Sequence, residues 1–198
     1  FRVIDANYEF NYSKINNQAV KEAKGEYIVL LNNDTEIITP HWLQIMVGYA
    51  MQPHIGAVGT KLLYPDNTVQ HAGIILGIGG IAQHCFIDNP RDDVGFYGRL
   101  SVPFNYSAVT AACLMVSKEK YLEVNGLEED LQVAFNDVDF NLKLLKQGYY
   151  NICLNHVELY HHESKSRGDD TVDTSSAKYR RFVQEHDYIK DKWGYMLY

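Results

Sequence analysis

Residues 25–36, GEYIVLLNNDTE, constrain this chain more than any other stretch: an apolar run from Tyr27 to Leu31 passes without a break into two amides and two carboxylates. A β-branched and aliphatic run held between Gly and Asn predicts a buried strand, parallel and covered on both faces. Its polar end is then a carboxyl edge, where ligands sit in open α/β sheets. Asn32, Asn33, Asp34 and Glu36 place hard oxygen ligands there, suited to a divalent cation that carries phosphates. Asn and Asp also begin ordinary turns, so this stretch alone reads equally well as a strand and its turn. The rest of the chain decides between the two by what it brings to the same edge.

Composition narrows the classes. The 198 residues are 46% hydrophobic and 13% aromatic, enough for one domain with a real core. A formal charge of −7 with no basic run argues against a nucleic-acid partner, since phosphate-backbone affinity comes from clustered Lys and Arg. Cys85, Cys113 and Cys153 are odd in number and widely spaced, as expected of buried thiols in a cytoplasmic protein. The longest apolar stretch, near Gly73 to Ala82, is short and Gly-rich, so no membrane span or signal peptide is predicted.

In chain order, Phe1 to Asp5 predicts a strand and Asn11 to Lys24 a helix with Ile15, Ala19 and Ala23 on one face and Gly25 as its C-cap, making a βαβ unit with the strand above. Thr39 and Pro40 predict the cap and first turn of a second helix, on which Trp42, Ile45, Met46 and Tyr49 form a core face. Ile55 to Leu63 reads as a strand pair or a bent strand, and Pro65-Asp66-Asn67 as a turn leading into Val69 to Leu76, together a hairpin-rich insertion. From Gly77 to Asn105 the chain is Gly-rich, polar and aromatic without a period; a loop of that length points to function, such as an acceptor groove. Ala108 to Val116 is a buried strand whose Thr110 and alanines permit close approach, and Ser117 to Val124 is a short helix ended by Asn125-Gly126.

A second charged cluster, Phe135-Asn136-Asp137-Val138-Asp139-Phe140, opens a helix whose Val138, Leu142 and Leu145 share a face. Asp137 and Asp139 then lie in its first turn, at the positive end of the dipole. One of them suffices as a cap, which leaves a carboxylate placed as a general base toward a hydroxyl. Val157 to Tyr160 is a strand that ends in His161-His162-Glu163-Ser164. Adjacent histidines on a strand face opposite ways, so one of the pair can join the oxygens of Asp34 in a mixed site for Mn2+ or Mg2+, with Arg167 meeting a diphosphate. The tail, residues 169–198, reads as an amphipathic helix that packs back on the domain formed by residues 1–168, with a following domain or a membrane surface as the other candidates for its apolar face.

The succession GEYIVLLNNDTE, WLQIM, VGTKLLYPDNTVQHAG, AVTAACLMV, FNDVDF with LKQGYY, and LYHHESKSRG resembles the family 2 glycosyltransferases, in particular rhamnosyltransferase-like bacterial members that build surface polysaccharide. The resemblance covers roughly Tyr8 to Gly168. It implies a GT-A fold, a mixed and mainly parallel sheet flanked by helices. It further implies an inverting, metal-aided transfer from a nucleotide diphosphate sugar to an acceptor hydroxyl of a saccharide or lipid-linked saccharide.

Residue by residue, Asn32-Asn33-Asp34 stands where the family has Asp-x-Asp, which puts the metal on Asp34 and the donor on Asn32, Asn33 and Arg167. Asp137 falls at the catalytic base, with Asn136 replacing the family's Glu, and His161 at the late metal-binding histidine. The family also has a nucleotide-gripping strand, loop and βα segment ahead of the position of Phe1. Relative to it the chain is N-terminally truncated, which implies weak or absent donor binding and self-association through uncovered sheet edges. The resemblance also implies a location in the cytoplasm or peripheral to the inner face of the membrane. The two Asn replacements make a non-catalytic carbohydrate-binding or scaffold module of the same fold the alternative.

Overall fold

The computed structural model describes residues 2–162 and 173–197. In chain order its elements are α1 (Tyr12–Glu22), β1 (Tyr27–Leu31), β2 (Thr35–Ile37), α2 (Trp42–Ala50), β3 (Ile55–Leu63), β4 (Val69–His71), β5 (Ile74–Leu76), β6 (Ala82–His84), β7 (Pro103–Tyr106), β8 (Cys113–Ser117), α3 (Lys118–Glu123), α4 (Asn136–Lys146), β9 (Tyr150–His161) and α5 (Ala177–Trp193).

Seven strands form one mixed sheet in the order β1-β8-β3-β9-β2, with β4 on β3 and β7 on β9; β5 and β6 form a separate hairpin. The parallel component is the β3–β9 pair, and the other ladders are antiparallel. All nine residues of β3 are buried, because helices cover both of its faces. Alternate residues divide between two cores. Ala57, Leu114, Val116 and Cys153 pack with Val20 of α1, Tyr121 of α3 and Phe140 and Leu144 of α4; Val58, Leu62, Met115 and Leu154 pack with Met46 and Ala50 of α2.

Several local expectations give way to this arrangement. The expected strand at Phe1 to Asp5 does not form among its described residues, and β1 runs antiparallel to β8, with no other partner among the described strands. An apolar run reports burial, and it carries no information about the direction of its neighbour. Helix α1 stops at Ala23 rather than Gly25. Helix α2 starts from His41 in the left-handed region (φ 59°), not from a Thr39 cap; the Thr39 hydroxyl instead accepts the backbone N–H of Glu158, tying the turn to β9.

Two details position the site. Gly59 of β3 lies under Val109, where an added Cβ would come within 2.6 Å of the valine Cβ, so residues 109–112 rest directly on the sheet just before β8. Helix α5 packs Ile189 and Trp193 against Val138 and Leu142 of α4. The Trp193 indole donates to the fully buried Asp139 at 2.7 Å, and Lys192 pairs with the same carboxylate at 2.8 Å.

Candidate active site

The Asn32-Asn33-Asp34 turn joins β1 to β2, and β2 pairs antiparallel with the end of β9 so that Thr35 lies opposite His161. That register brings Asp34 and His161 together: Asp34 Oδ1 lies 3.2 Å from His161 Nε2. Asn32 points its amide Nδ2 at the same ring nitrogen, also at 3.2 Å, whereas Asn33 is exposed. The backbone N–H of His162 bonds the carbonyl of Asp34, and the side chain of His162 turns to Glu36, so the two histidines do face different ways.

Gln70 of β4 sets the state of His161. Its Nε2 donates to the His161 carbonyl at 3.3 Å, which fixes the amide orientation and leaves Oε1 facing His161 Nδ1 at 2.7 Å. An amide oxygen only accepts, so Nδ1 carries the proton and Nε2 presents its lone pair toward Asn32 and Asp34. Asp34 Oδ1 is buried and has no hydrogen-bond partner. With its lone pair on Nε2, the imidazole and the carboxylate that face each other in this way are both electron-pair donors, an arrangement that a cation would complete.

Their spacing suits two adjacent ligands of an octahedral ion, which with bonds of about 2.1 Å stand about 3 Å apart. No third His, Cys, Asp or Glu joins them among the described residues. The remaining positions of such an ion would belong to phosphate oxygens and water, the usual situation for Mg2+-type sites. The residues therefore fit the expected divalent metal.

Asp137 sits in the first turn of α4 and is half-buried. It is not the N-cap; Phe135 is, in the left-handed region (φ 59°) and without a side-chain cap. One Asp137 oxygen accepts the Val138 N–H at 2.8 Å and the other accepts the Ala111 N–H at 3.2 Å. Each carboxylate oxygen keeps a further lone pair. Asn136, in the position of the family's Glu, is buried and donates to the Val133 carbonyl, closing the turn rather than touching Asp137. The Tyr12 hydroxyl donates to the carbonyl of Ala111; burial, then the charge of Asp137, raise its pKa far above the ordinary phenol value.

Residues 110–112 join these groups. The Thr110 N–H points to Nε2 of buried His71, the Ala111 N–H to Asp137, and the Ala112 carbonyl accepts the N–H of Asn32. The candidate base and the metal turn therefore hang on adjacent residues of one short segment. Glu185 of α5 supports the far side, its carboxylate accepting the N–H groups of Gln132, Val133 and Ala134 just before Asp137.

Gln70, the 110–112 backbone and Glu185 carry no site motif in the sequence. The available signal for Gln70 was a Gln-His pair enclosed by Val69 and Ala72 on a buried strand, where polar side chains need partners. Arg167, expected at the diphosphate, lies outside the described residues.

Comparison with known proteins decides the family. The profile of glycosyl transferase family 2 matches residues 1–114. The chain belongs to that family. The matched region holds Asn32, Asp34 and Gln70, while Asp137 and His161 fall beyond it.

A similar curated protein is the uncharacterised y4gI of Sinorhizobium fredii, 46% identical over 97% of this chain and 21% of that protein. Another is the O-antigen biosynthesis protein RfbC of Myxococcus xanthus, 41% identical over 83% of this chain and 13% of RfbC. The chain thus spans about a fifth or less of the length of these curated relatives. Among solved structures, GalNAc-T7 with UDP, GalNAc and Mn2+ superposes with a TM-score of 0.67 over 92% of this chain and 35% of its own, at 11% identity. The mannosyltransferase PcManGT of Pyrobaculum calidifontis with GDP-Man and Mn2+ gives 0.57 over 84% of this chain and 40% of its own, at 18% identity. At those identities the likeness establishes the fold, the GT-A arrangement that the resemblance implied. No helix among the described residues is long and apolar enough to cross a membrane.

Proposed function

We propose that this family 2 glycosyltransferase chain carries the metal and catalytic-base half of an inverting transferase, which moves a sugar from a nucleotide diphosphate donor to a saccharide hydroxyl in surface polysaccharide synthesis. The observation that carries the reading is the convergence on residues 110–112: Asn32, which opens the turn bearing Asp34, and Asp137 are bonded to neighbouring peptides of one short segment, with His161 paired to Asp34. An inverting displacement asks for that pairing, with a base on one side of the anomeric carbon and diphosphate neutralisation on the other.

Asp34 and His161 would hold a Mn2+ or Mg2+ ion, which when bound neutralises the departing diphosphate. Asp137 takes the proton from the acceptor hydroxyl, with its two backbone hydrogen bonds keeping the carboxylate in place as charge shifts. The Mn2+ in both structural neighbours and the O-antigen role of RfbC support the donor and product classes. Asn32 in place of a carboxylate favours the second reading, a scaffold module with weak donor binding.

The test is Mn2+-dependent release of nucleoside diphosphate from nucleotide sugars, by this chain and by a chimera in which it replaces the 46%-identical segment of y4gI. Asp137→Ala should lower turnover by about 10²–10⁴-fold. Metal-dependent turnover that survives this change within tenfold rejects Asp137 as the base, and no metal-dependent nucleotide binding in either protein favours the scaffold.

A further inference from the structure

Next to the metal pair lies a cavity of about 380 Å³ that the transfer chemistry leaves unused. Its walls include Ile75 and His84 of the β5–β6 hairpin, Phe86 and Ile87 just beyond it, Arg99, and Tyr106 of β7. Gly73 makes the wall possible: at φ 110° an added Cβ would stand 2.3 Å from the Tyr106 ring, so only glycine lets that ring lie against the backbone. His84 links the cavity to the site. Its Nδ1 donates to the Gln70 carbonyl at 3.2 Å and its ring meets His71 edge-on at 4.7 Å, so one residue, Gln70, separates the cavity from His161. With Nδ1 engaged, His84 Nε2 is the ring nitrogen left for a ligand.

Arg99 is the arginine that lines this cavity. Lys61 and Arg91 both pair with Glu158, but no carboxylate lies within ion-pair distance of Arg99 among the described residues, and its side chain makes no hydrogen bond there. The half-buried guanidinium stacks instead on Phe104, 4.3 Å from the ring centre, with Phe96 at 5.9 Å. Its charge reaches into the cavity: burial pushes the Cys85 thiol up to about 11, and Arg99 is the force that opposes the rise. A stacked guanidinium with an unused planar fork is built for a carboxylate or phosphate. The surrounding aromatic faces and His84 suit a sugar ring, apolar on its faces and hydroxylated at its rim.

We propose that this cavity binds an acidic saccharide, a sugar bearing a carboxylate or a phosphate, with Arg99 pairing the anion and His84, Phe86 and Tyr106 receiving the ring. If the transferase reading holds, this is where the acceptor lies, and the polymer under construction is acidic. The binding itself depends on neither donor nor metal.

The experiment titrates the chain, without nucleotide or metal, with a glucuronic-acid disaccharide, its neutral glucose counterpart, glucose 6-phosphate and inorganic phosphate, read by saturation-transfer NMR and calorimetry. The acidic sugars should bind at least about tenfold more tightly than the neutral one, the factor expected of a charge-assisted pair. Arg99→Ala should remove that preference while the variant stays folded by circular dichroism, and Arg99→Lys should keep part of it. Comparing the disaccharide with the sugar phosphate identifies the preferred anion. Equal binding of the neutral sugar, inorganic phosphate matching the sugar phosphate, or an unchanged preference in Arg99→Ala each overturns the proposal. None of these results bears on Asp34, His161 or Asp137, so the site and the transferase reading can fail separately.

Discussion

Replacing Gln70 with leucine tests the site at its most informative point. The change keeps the buried volume of β4 but removes the 2.7 Å acceptor on His161 Nδ1 and the donor on the His161 carbonyl. Without that acceptor the proton is free to move to Nε2, where Asp34 Oδ1 waits at 3.2 Å to receive it. In that tautomer His161 and Asp34 satisfy each other, and neither offers a lone pair to a cation. Loss of an outer partner of a metal-binding histidine typically weakens metal affinity about 10–100-fold, or about 1.4–2.7 kcal/mol. Long-range nitrogen NMR of the histidine rings reads the tautomer directly in the metal-free chain. Titration with Mn2+, alone and with UDP or GDP, reads the affinity. Gln70→Glu, whose carboxylate also accepts from Nδ1, should retain the tautomer and most of the affinity. If Gln70→Leu keeps the proton on Nδ1 and binds Mn2+ within about twofold of the parent, the clamp has no role in shaping the metal pair.

Other outcomes follow from the same geometry. Asn32→Asp replaces an amide that faces His161 Nε2 with a carboxylate as third protein ligand, and should raise Mn2+ affinity by at least about tenfold in the same titration, because ligand charge tunes such sites. Glu158→Gln strands Lys61, which is 4% exposed, and should cost about 3 kcal/mol in denaturant unfolding, at the low end for a broken buried pair. Burial works against the Glu158 charge, but hydrogen bonds from Lys61 and Arg91 outweigh it and hold the carboxyl below its ordinary range. A depressed carboxyl stabilises the fold above the ordinary glutamate value of about 4.3 and loses that contribution as pH falls through the lower folded-state value. The Gln variant should therefore show a shallower stability loss in acid than the parent. Trp193→Phe removes a hydrogen bond to a buried carboxylate and should cost about 1.5–3 kcal/mol, measured as a shift of the denaturant midpoint at constant slope.

Much of the site is legible in the sequence because its ends are local signals. A strand that stops in Asn32-Asn33-Asp34, a helix that opens on Asn136-Asp137 and a strand that closes on His161 each announce a polar cluster at the end of an apolar run. Their meeting is not local. It depends on β2 pairing with β9 and on residues 109–112 lying over Gly59, and only long-range packing sets those. Strand direction was misread for the same reason, since Tyr27 to Leu31 shows the same burial pattern whichever way β8 runs. The start of α2 was misread because the Thr39 hydroxyl had a better partner in Glu158 of a distant strand. Asp139 looked like a companion of Asp137, yet two positions along a helix turn it to the opposite side, into α5, where it serves the core and not the cleft.

Helix α5 touches the turn bearing Asp137 at three points. Glu185 holds the peptides before it, Phe182 and His186 pack on the strained Phe135, and Trp193 with Lys192 grips Asp139 after it. Anyone trimming this protein for expression at residue 168, where the family motifs end, would keep every expected metal and base residue and still remove the splint that keeps the base turn in shape. Such a shortened protein would serve poorly as an inactive control, since its silence would report a lost brace and nothing about the chemistry.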